Sequence, residues 1–303
     1  MNMAKKLSYE SNGFCFVFEE ALTAPFFIDF NDFKPNTVAG KIEKQSYPGM
    51  DGATTFETSL DVCNINLSAK LLAHNMGTRV RSIETVIDEN KNSLAVAFNP
   101  KNIGVLRYRN NIGEFFIECR PTSIPAFGVI EIDGVLPFQV DLYSDSSYWS
   151  RAEENEIIIG GMENVLQIPT NLPFNMPKVI NLAETINNLS GLPAFPKIQF
   201  FPCTSAPAII NETTGKYLAL NDGISEGFYV EIDTAPEKQT VNLMRLDEET
   251  GNYIKVDNVE YWLTTDSSID FEIATGTNII KINTTSAVPK VARLYWNEKV
   301  LAV

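Results

Sequence analysis

The sequence predicts a mainly β protein in two domains, with one helix in the first. Three observations carry that expectation. Apolar and polar residues alternate with a period of two along most of the chain, which is the pattern of strands with one buried face. A single stretch, Val80 to Phe98, takes helical spacing instead. Between about Ser150 and Pro207 the texture changes, and Pro169, Pro173, Pro177, Pro193, Pro196, Pro202 and Pro207 punctuate short apolar pieces. Proline cannot donate to a strand ladder, so these residues mark edges, crossings and loops. The boundary is placed near residue 150. Residues 1–150 make the first domain and 151–303 the second, entered through a proline-rich approach over 151–207. The length of 303 residues suits two domains of roughly 100–200 residues each.

In the first domain, Ile65 to Leu71 alternates cleanly, as do Val129 to Asp133 and Gln139 to Tyr143. Leu60 and Val62 sit in the opposite phase to Ile65 and Leu67, which predicts a bulge near Cys63. In the helical stretch Ile83, Ile87, Leu94 and Phe98 recur on one face, with Val80 and Val86 on neighbouring rows. Thr78 is the expected N-cap and Pro100 the stop, with Glu84, Asp88, Glu89 and Lys91 turned outward and the helix laid across a sheet. Gly160-Gly161 offers a hinge before the second domain. There, Thr213-Thr214-Gly215 and Asn221-Asp222-Gly223 are turn sequences, the latter reading as a tight hairpin. Strands are expected at Gly227 to Asp233, Val241 to Met244, Ile279 to Ile282 and Val291 to Trp296. Many short strands at this spacing predict a β-sandwich or barrel.

Composition narrows the classes of function. Hydrophobic residues make up 44% and charged residues 20%, which fits a globular chain. No apolar run approaches the roughly 20 residues needed to span a bilayer. Met1 to Glu10 carries two lysines with no apolar stretch behind them, so no secretory signal is expected. The formal net charge is −14. Holding nucleic acid requires clustered cations against phosphates, and an excess of carboxylates opposes it. Neither stable nucleic-acid binding nor membrane insertion is expected.

No catalytic, cofactor-binding or metal-ligating residue is assigned. Cys15, Cys63, Cys119 and Cys203 are far apart and form no CxxC pair, so they read as reduced, buried core residues. The single histidine, His74, lacks any accompanying nucleophile signature. Asp29, Asp32 and Asp51, or Asp145, Glu153, Glu154 and Glu156, could flank a sugar as glycosidase carboxylates do. Solvated faces explain them as well. Asp29-Phe30-Asn31-Asp32 begins like a calcium loop but lacks the glycine and glutamate that such a loop needs. Phosphate-cradling glycine motifs are absent, and the aromatic residues lie in strands with few basic neighbours.

The order of features resembles a known family. A Tyr47 to Gly52 loop (Tyr-Pro-Gly-Met-Asp-Gly) precedes the strand at Ile65 to Leu71. One helix follows, ending in Phe98-Asn99-Pro100, and a strand pair at Gly104 to Tyr108 and Glu114 to Arg120 closes the module. That succession resembles the N-terminal domain of the siphophage distal tail (Dit) family. In the second half, Pro196 to Phe200, Ala208 to Leu218, Gly227 to Thr234, Ala274 to Ile280 and Val291 to Trp296 are similar to that family's strand and turn segments. The likeness covers most of the chain. Ser144 to Asn188 departs from it, being longer than the linker expected there.

The resemblance implies a non-catalytic structural protein of a phage or prophage tail, without cofactors. Its N-terminal domain would be sandwich-like with one helix and assemble into a homo-hexameric ring. Its C-terminal domain would be a galectin-like β-sandwich. Such a ring joins the tail tube protein to the tail-tip hub or tail-associated lysin, holds receptor-binding or baseplate proteins, and lets DNA through. The expected location is the virion tail tip, after assembly in the bacterial cytoplasm. An alternative is a carbohydrate- or receptor-binding module of the tail tip, for which Tyr148-Trp149 and Tyr261-Trp262 are the aromatic pairs. A glycan-degrading tail-tip enzyme or a minor tube protein are further alternatives.

Overall fold

A computed structural model describes residues 5–49, 51–76, 82–131, 134–160, 182–247, 250–283 and 291–303. The protein is mainly β, and the described residues contain one α-helix. The chain forms two compact units, Met1–Ala152 with Val300–Val303, and Glu153–Lys299.

The first unit opens with β1 (Lys6–Ser11) and β2 (Phe14–Glu19), joined through Asn12 and Gly13 at φ 50° and 78°. Two consecutive positive φ values give the tight hairpin turn whose twist matches its strands. β3 (Phe26–Phe27), β4 (Lys34–Gln45) and β5 (Thr54–Leu72) follow, then α1 (Ile83–Ala97). β6 (Gly104–Arg109), β7 (Glu114–Pro121), β8 (Ala126–Phe127), β9 (Val135–Ser144) and the start of β10 (Trp149–Ile159) complete the unit. Neighbours run β10-β7-β6-β1-β2-β3-β5-β9-β8, and β7 also pairs with β9. The strand order therefore closes on itself. Closure is narrow at both seams, two residue pairs each at β2–β3 and β7–β9, so two faces enclose one core.

That core takes Leu7 and Tyr9 from β1, Phe16 and Phe18 from β2, Ile65, Leu67 and Leu71 from β5, and Phe138 and Leu142 from β9. Each fully buried side chain of this size is worth roughly 1.5–3 kcal/mol. The helix joins the core through Val86, Ile87 and Leu94, and Phe98 stacks on Tyr9 with ring centroids 4.2 Å apart. Its N-cap is Ser82, whose Oγ accepts from the Thr85 amide at 3.2 Å. Thr78 and Val80 lie outside the described residues. Ile83, expected inward, is more than one-third exposed and rests over Gly134. The expected bulge is present: Val38 pairs with Cys63 and Gly40 with Leu60, leaving one extra residue on β5.

Two sequence expectations need correction in this unit. Val129 and Ile130, expected to open a strand, lie outside any strand: β8 ends at Phe127, Val129 is 86% exposed, and Glu131 makes a single bridge, to Val135. Ile132 and Asp133 lie outside the described residues. Cys15 is exposed, unlike Cys63, Cys119 and Cys203, because the inward phase of β2 belongs to Phe16 and Phe18. None of the four forms a disulfide among the described residues.

The second unit places β11 (Ala183–Asn188), β18 (Gly276–Asn283), β13 (Ala208–Asn211) and β14 (Lys216–Ala219) in one sheet, in that order. The other runs β17 (Tyr253–Asn258), β16 (Thr240–Leu246), β15 (Phe228–Asp233), β12 (Lys197–Phe200), β19 (Ala292–Val300), β10. Ile198, Phe200, Val230, Ile232 and Leu294 from the larger sheet meet Ile186, Ile209, Leu218, Ile280 and Ile282 from the smaller one. Alternation along each strand thus buries one face of each sheet. Gly215, at φ 74°, turns β13 into β14 and donates its amide to Asn211 O at 2.7 Å. Asn221-Asp222-Gly223 is a crossing between sheets and not the hairpin expected: Leu220 bridges Leu263 and Ile224 bridges Cys203. Glycine at 223 is required there because a Cβ would overlap the Cys203 carbonyl. Pro193, Pro196, Pro202 and Pro207 flank strands as expected. Gly161, Pro169, Pro173 and Pro177 lie outside the described residues.

Candidate functional surfaces

Of the carboxylates noted in the sequence, Asp29 and Asp32 come to one place. Asp29 and Asp32 line an open groove of about 410 Å³ with Phe27, Lys70, Phe127 and Gln139. Asp29 is occupied locally, accepting from the Asn31 amide at 2.9 Å and from its side chain at 3.0 Å. Asp51 lies apart, on the connection between β4 and β5. Asp145 pairs with Arg120, and Glu156 with Arg293. His74 is exposed on a short 3-10 turn that Asn75 ties down by donating to Leu22 O and Ala24 O. Among the described residues no three His, Cys, Asp or Glu side chains are grouped to hold a metal ion, and no helix is long and apolar enough to cross a membrane. Trp149 is buried and donates to Pro35 O at 3.0 Å, while Tyr261 is 70% exposed.

Two surfaces stand out instead, and the sequence reading missed both. The first is the β4–β5 ribbon. From Cys63 onward β5 alternates buried and exposed positions as part of the closed sheet, but Thr54–Asp61 is exposed on both faces. Among the described residues this stretch has β4 as its one strand partner, from Gly40↔Leu60 to Gln45↔Thr54. At ~3.4 Å per residue it extends about 27 Å without a core beneath it. Ile42 stands opposite Thr58 on one face, and Leu60 opposite Gly40. Phe56 is the extra residue of a second bulge beside them. Ile42 is 57% exposed and Phe56 64%. The Tyr47 to Gly52 loop forms the turn of this ribbon, with Met50 outside the described residues.

The second surface is the outer face of the six-stranded sheet in the second unit. Inward residues of these strands are apolar, so the pleat turns the others out, and the register aligns them. Asn258 faces Asn242, Asn242 faces Glu231, Glu231 faces Gln199 and Gln199 faces Arg293. Arg293 continues the row to β10, with Nε 2.7 Å from Glu156 Oε1 and Nη2 donating to Oε2 at 2.9 Å. Glu231 accepts from Gln199 Nε2 and from Tyr295 OH, both at 3.0 Å. Tyr229 flanks the row, with Tyr253 edge-on at 4.6 Å, and Lys197 pairs with Asp233 at 3.5 Å. Burial first, then Glu231, pushes the Tyr229 phenol up to about 12, and the same two causes raise Tyr295. Asn242 Oδ1 is buried and accepts no hydrogen bond from the described residues.

No family model matches the chain, and neither does any curated protein. Solved structures do match in fold. The crystal structure of the phage SPP1 Dit protein, described as a paradigm of the hub adsorption apparatus in phages infecting Gram-positive bacteria, superposes with a TM-score of 0.58 at 12% identity. The match covers 97% of this chain and 99% of that one. A chain of the phage P2 baseplate in its activated conformation with Ca matches with a TM-score of 0.53 at 10% identity, over 99% of this chain and all of the other. The same baseplate with Sr gives 0.55 at 10% identity and the same coverage. Over nearly its whole length the chain has the fold of these tail and baseplate proteins.

Proposed function

We propose that the chain is a structural, non-catalytic component of a phage tail, a distal tail protein whose copies close a ring of six between the tail tube and the tail-tip hub or baseplate. Residues 1–150 form the ring, and residues 151–303 meet peripheral partners. The neighbours are tail tube protein, hub or tail-associated lysin, and receptor-binding or baseplate proteins. Assembly takes place in the bacterial cytoplasm, and the finished ring lets DNA through. Whole-length likeness of fold supports the family. The carrying observation is the ribbon, because a two-stranded hairpin with no core is marginal in water and exposed apolar side chains need a cover. Neighbouring copies supply that cover.

Light scattering tests the ring. The expected mass is near six times 33.8 kDa. Replacing Ile42 and Phe56 by serine should reduce it to that of one subunit while leaving the melting temperature within about 2 °C, because exposed positions carry little fold stability. A monomer at high concentration, together with tails that assemble normally without this protein, overturns the proposal.

A further inference from the structure

The exposed β4–β5 ribbon and the open groove of the first unit lie at opposite ends of the same strand. The groove, of about 410 Å³, is lined from β3, β5, β9 and β8, where Phe27 pairs with Lys70, Lys70 with Pro137 and Phe127 with Phe138. Four strands at ~4.8 Å spacing span about 14 Å, wider than the two strands of the ribbon. The apolar part of its lining includes Phe27, Phe127 and Pro137, all half-buried. This lining is fixed in place. Gly128 donates its amide to Pro137 O at 2.9 Å, and a Cβ on Gly128 would stand 2.9 Å from the Pro137 ring.

Charge selects the occupant. Lys70, the lysine of the lining, already stands 3.4 Å from Glu131, which leaves the carboxylates of Asp29 and Asp32 uncompensated. An anionic segment is repelled there, and one that is apolar with a cation beside it is favoured. The ribbon has that character. Ile42 and Phe56 are its exposed apolar side chains, and Lys44 lies two residues from Ile42, on the same face of β4. Lys41 is 3.7 Å from Glu43, whereas Lys44 has no ion-pair partner among the described residues. A chain cannot fill its own groove. From Phe56 to Ala69, which lines the groove, β5 runs thirteen residues, about 44 Å of strand at ~3.4 Å per residue.

We infer that the groove receives the ribbon of the adjacent copy, with Lys44 set against Asp29 and Asp32, and Ile42 and Phe56 laid over Phe27 and Pro137. The inference rests on the reading of the chain as a ring-former and names the surface that each ribbon meets. Because the contact joins two different patches, it passes from copy to copy, head to tail, and such a contact generates a ring where its rotation closes.

The test is charge reversal on the full chain, read by light scattering over a range of concentrations. Lys44→Asp and Asp32→Lys are made as separate proteins. Both positions are exposed, so each variant should keep its melting temperature within about 2 °C. Alone, each should raise the concentration at which rings form by about tenfold or more, because like charges then meet at every junction. An equal mixture of the two should restore the rings with alternating copies, since every junction again joins opposite charges. Lys44→Cys combined with Asp32→Cys, in a Cys15→Ser background that removes the exposed native thiol, should give disulfides between copies on mild oxidation. Rings of normal mass in either single variant overturn the inference and leave the ring itself standing. A mixture that does not reassemble, or purified rings that trap no disulfide, has the same meaning. Single subunits in the unaltered protein, with no disulfide trapped even in assembled tails, overturn the inference and the ring together.

Discussion

At the residue scale, close approaches decide which substitutions the fold accepts. Gly104 begins β6 directly over the Tyr9 ring, and a Cβ there would overlap it. Tyr9 is in turn stacked on Phe98 and cannot retreat. Gly104→Ala should therefore destabilise the protein by about 1–3 kcal/mol, the usual cost of overpacking, read as a lowered midpoint in urea. Burial also sets an alkaline limit. Tyr9 and Tyr229 are each pushed from an ordinary value of 10.0 up to about 12. Their neutral forms favour the folded state, so this contribution is complete below pH 10 and is lost as pH rises toward 12. Thermal melts across that window should show a falling midpoint, and Tyr229→Phe should reduce the fall. A sequence alone shows neither approach, since nothing near Gly104 in the chain announces that Tyr9 lies across from it.

At the element scale, legibility followed how local the cause was. The bulge at Cys63 could be read because a change of phase in one strand is written in consecutive residues, Leu60 and Val62 against Ile65 and Leu67. The helix could be read from Ile87, Leu94 and Phe98, but not its start, where Ser82 and Thr85 make the cap. Ser82→Ala should cost roughly 1 kcal/mol, seen as a lower melting temperature with the same circular dichroism at 20 °C. Asn12-Gly13 between two alternating runs is a strong hairpin signal, and it was available to be read. The ribbon was not legible, because alternation in Thr54–Asp61 looks the same whether a strand lies on a core or leaves it. The transverse row was hidden for a related reason: its members are 13 or more residues apart in most steps and meet only through register. Val129 and Ile130 misled, since an apolar pair in a connection mimics a strand.

At the scale of the whole molecule, two separate cores and a net charge of −14 govern behaviour. DNA that passes through a ring must not adhere to it, and excess carboxylate works against adhesion at low salt, where electrostatic attraction is strongest. A mobility-shift experiment at low ionic strength should find no retained duplex. Retention that weakens steeply with added salt would contradict the proposed role. Overall charge, mainly β character and single-helix content were the properties most legible in the sequence, because each sums over many residues and tolerates local errors.

The last four residues, Val300–Val303, rejoin the first unit, with Val300 and Val303 packed against its core. The second unit is thus an insertion within the first, tethered at both ends of its own chain. A pull on a bound partner is divided between two backbone connections in parallel, one entering after Ala152 and one leaving before Val300. Exchange of this module between tails correspondingly requires two junctions to be made in register.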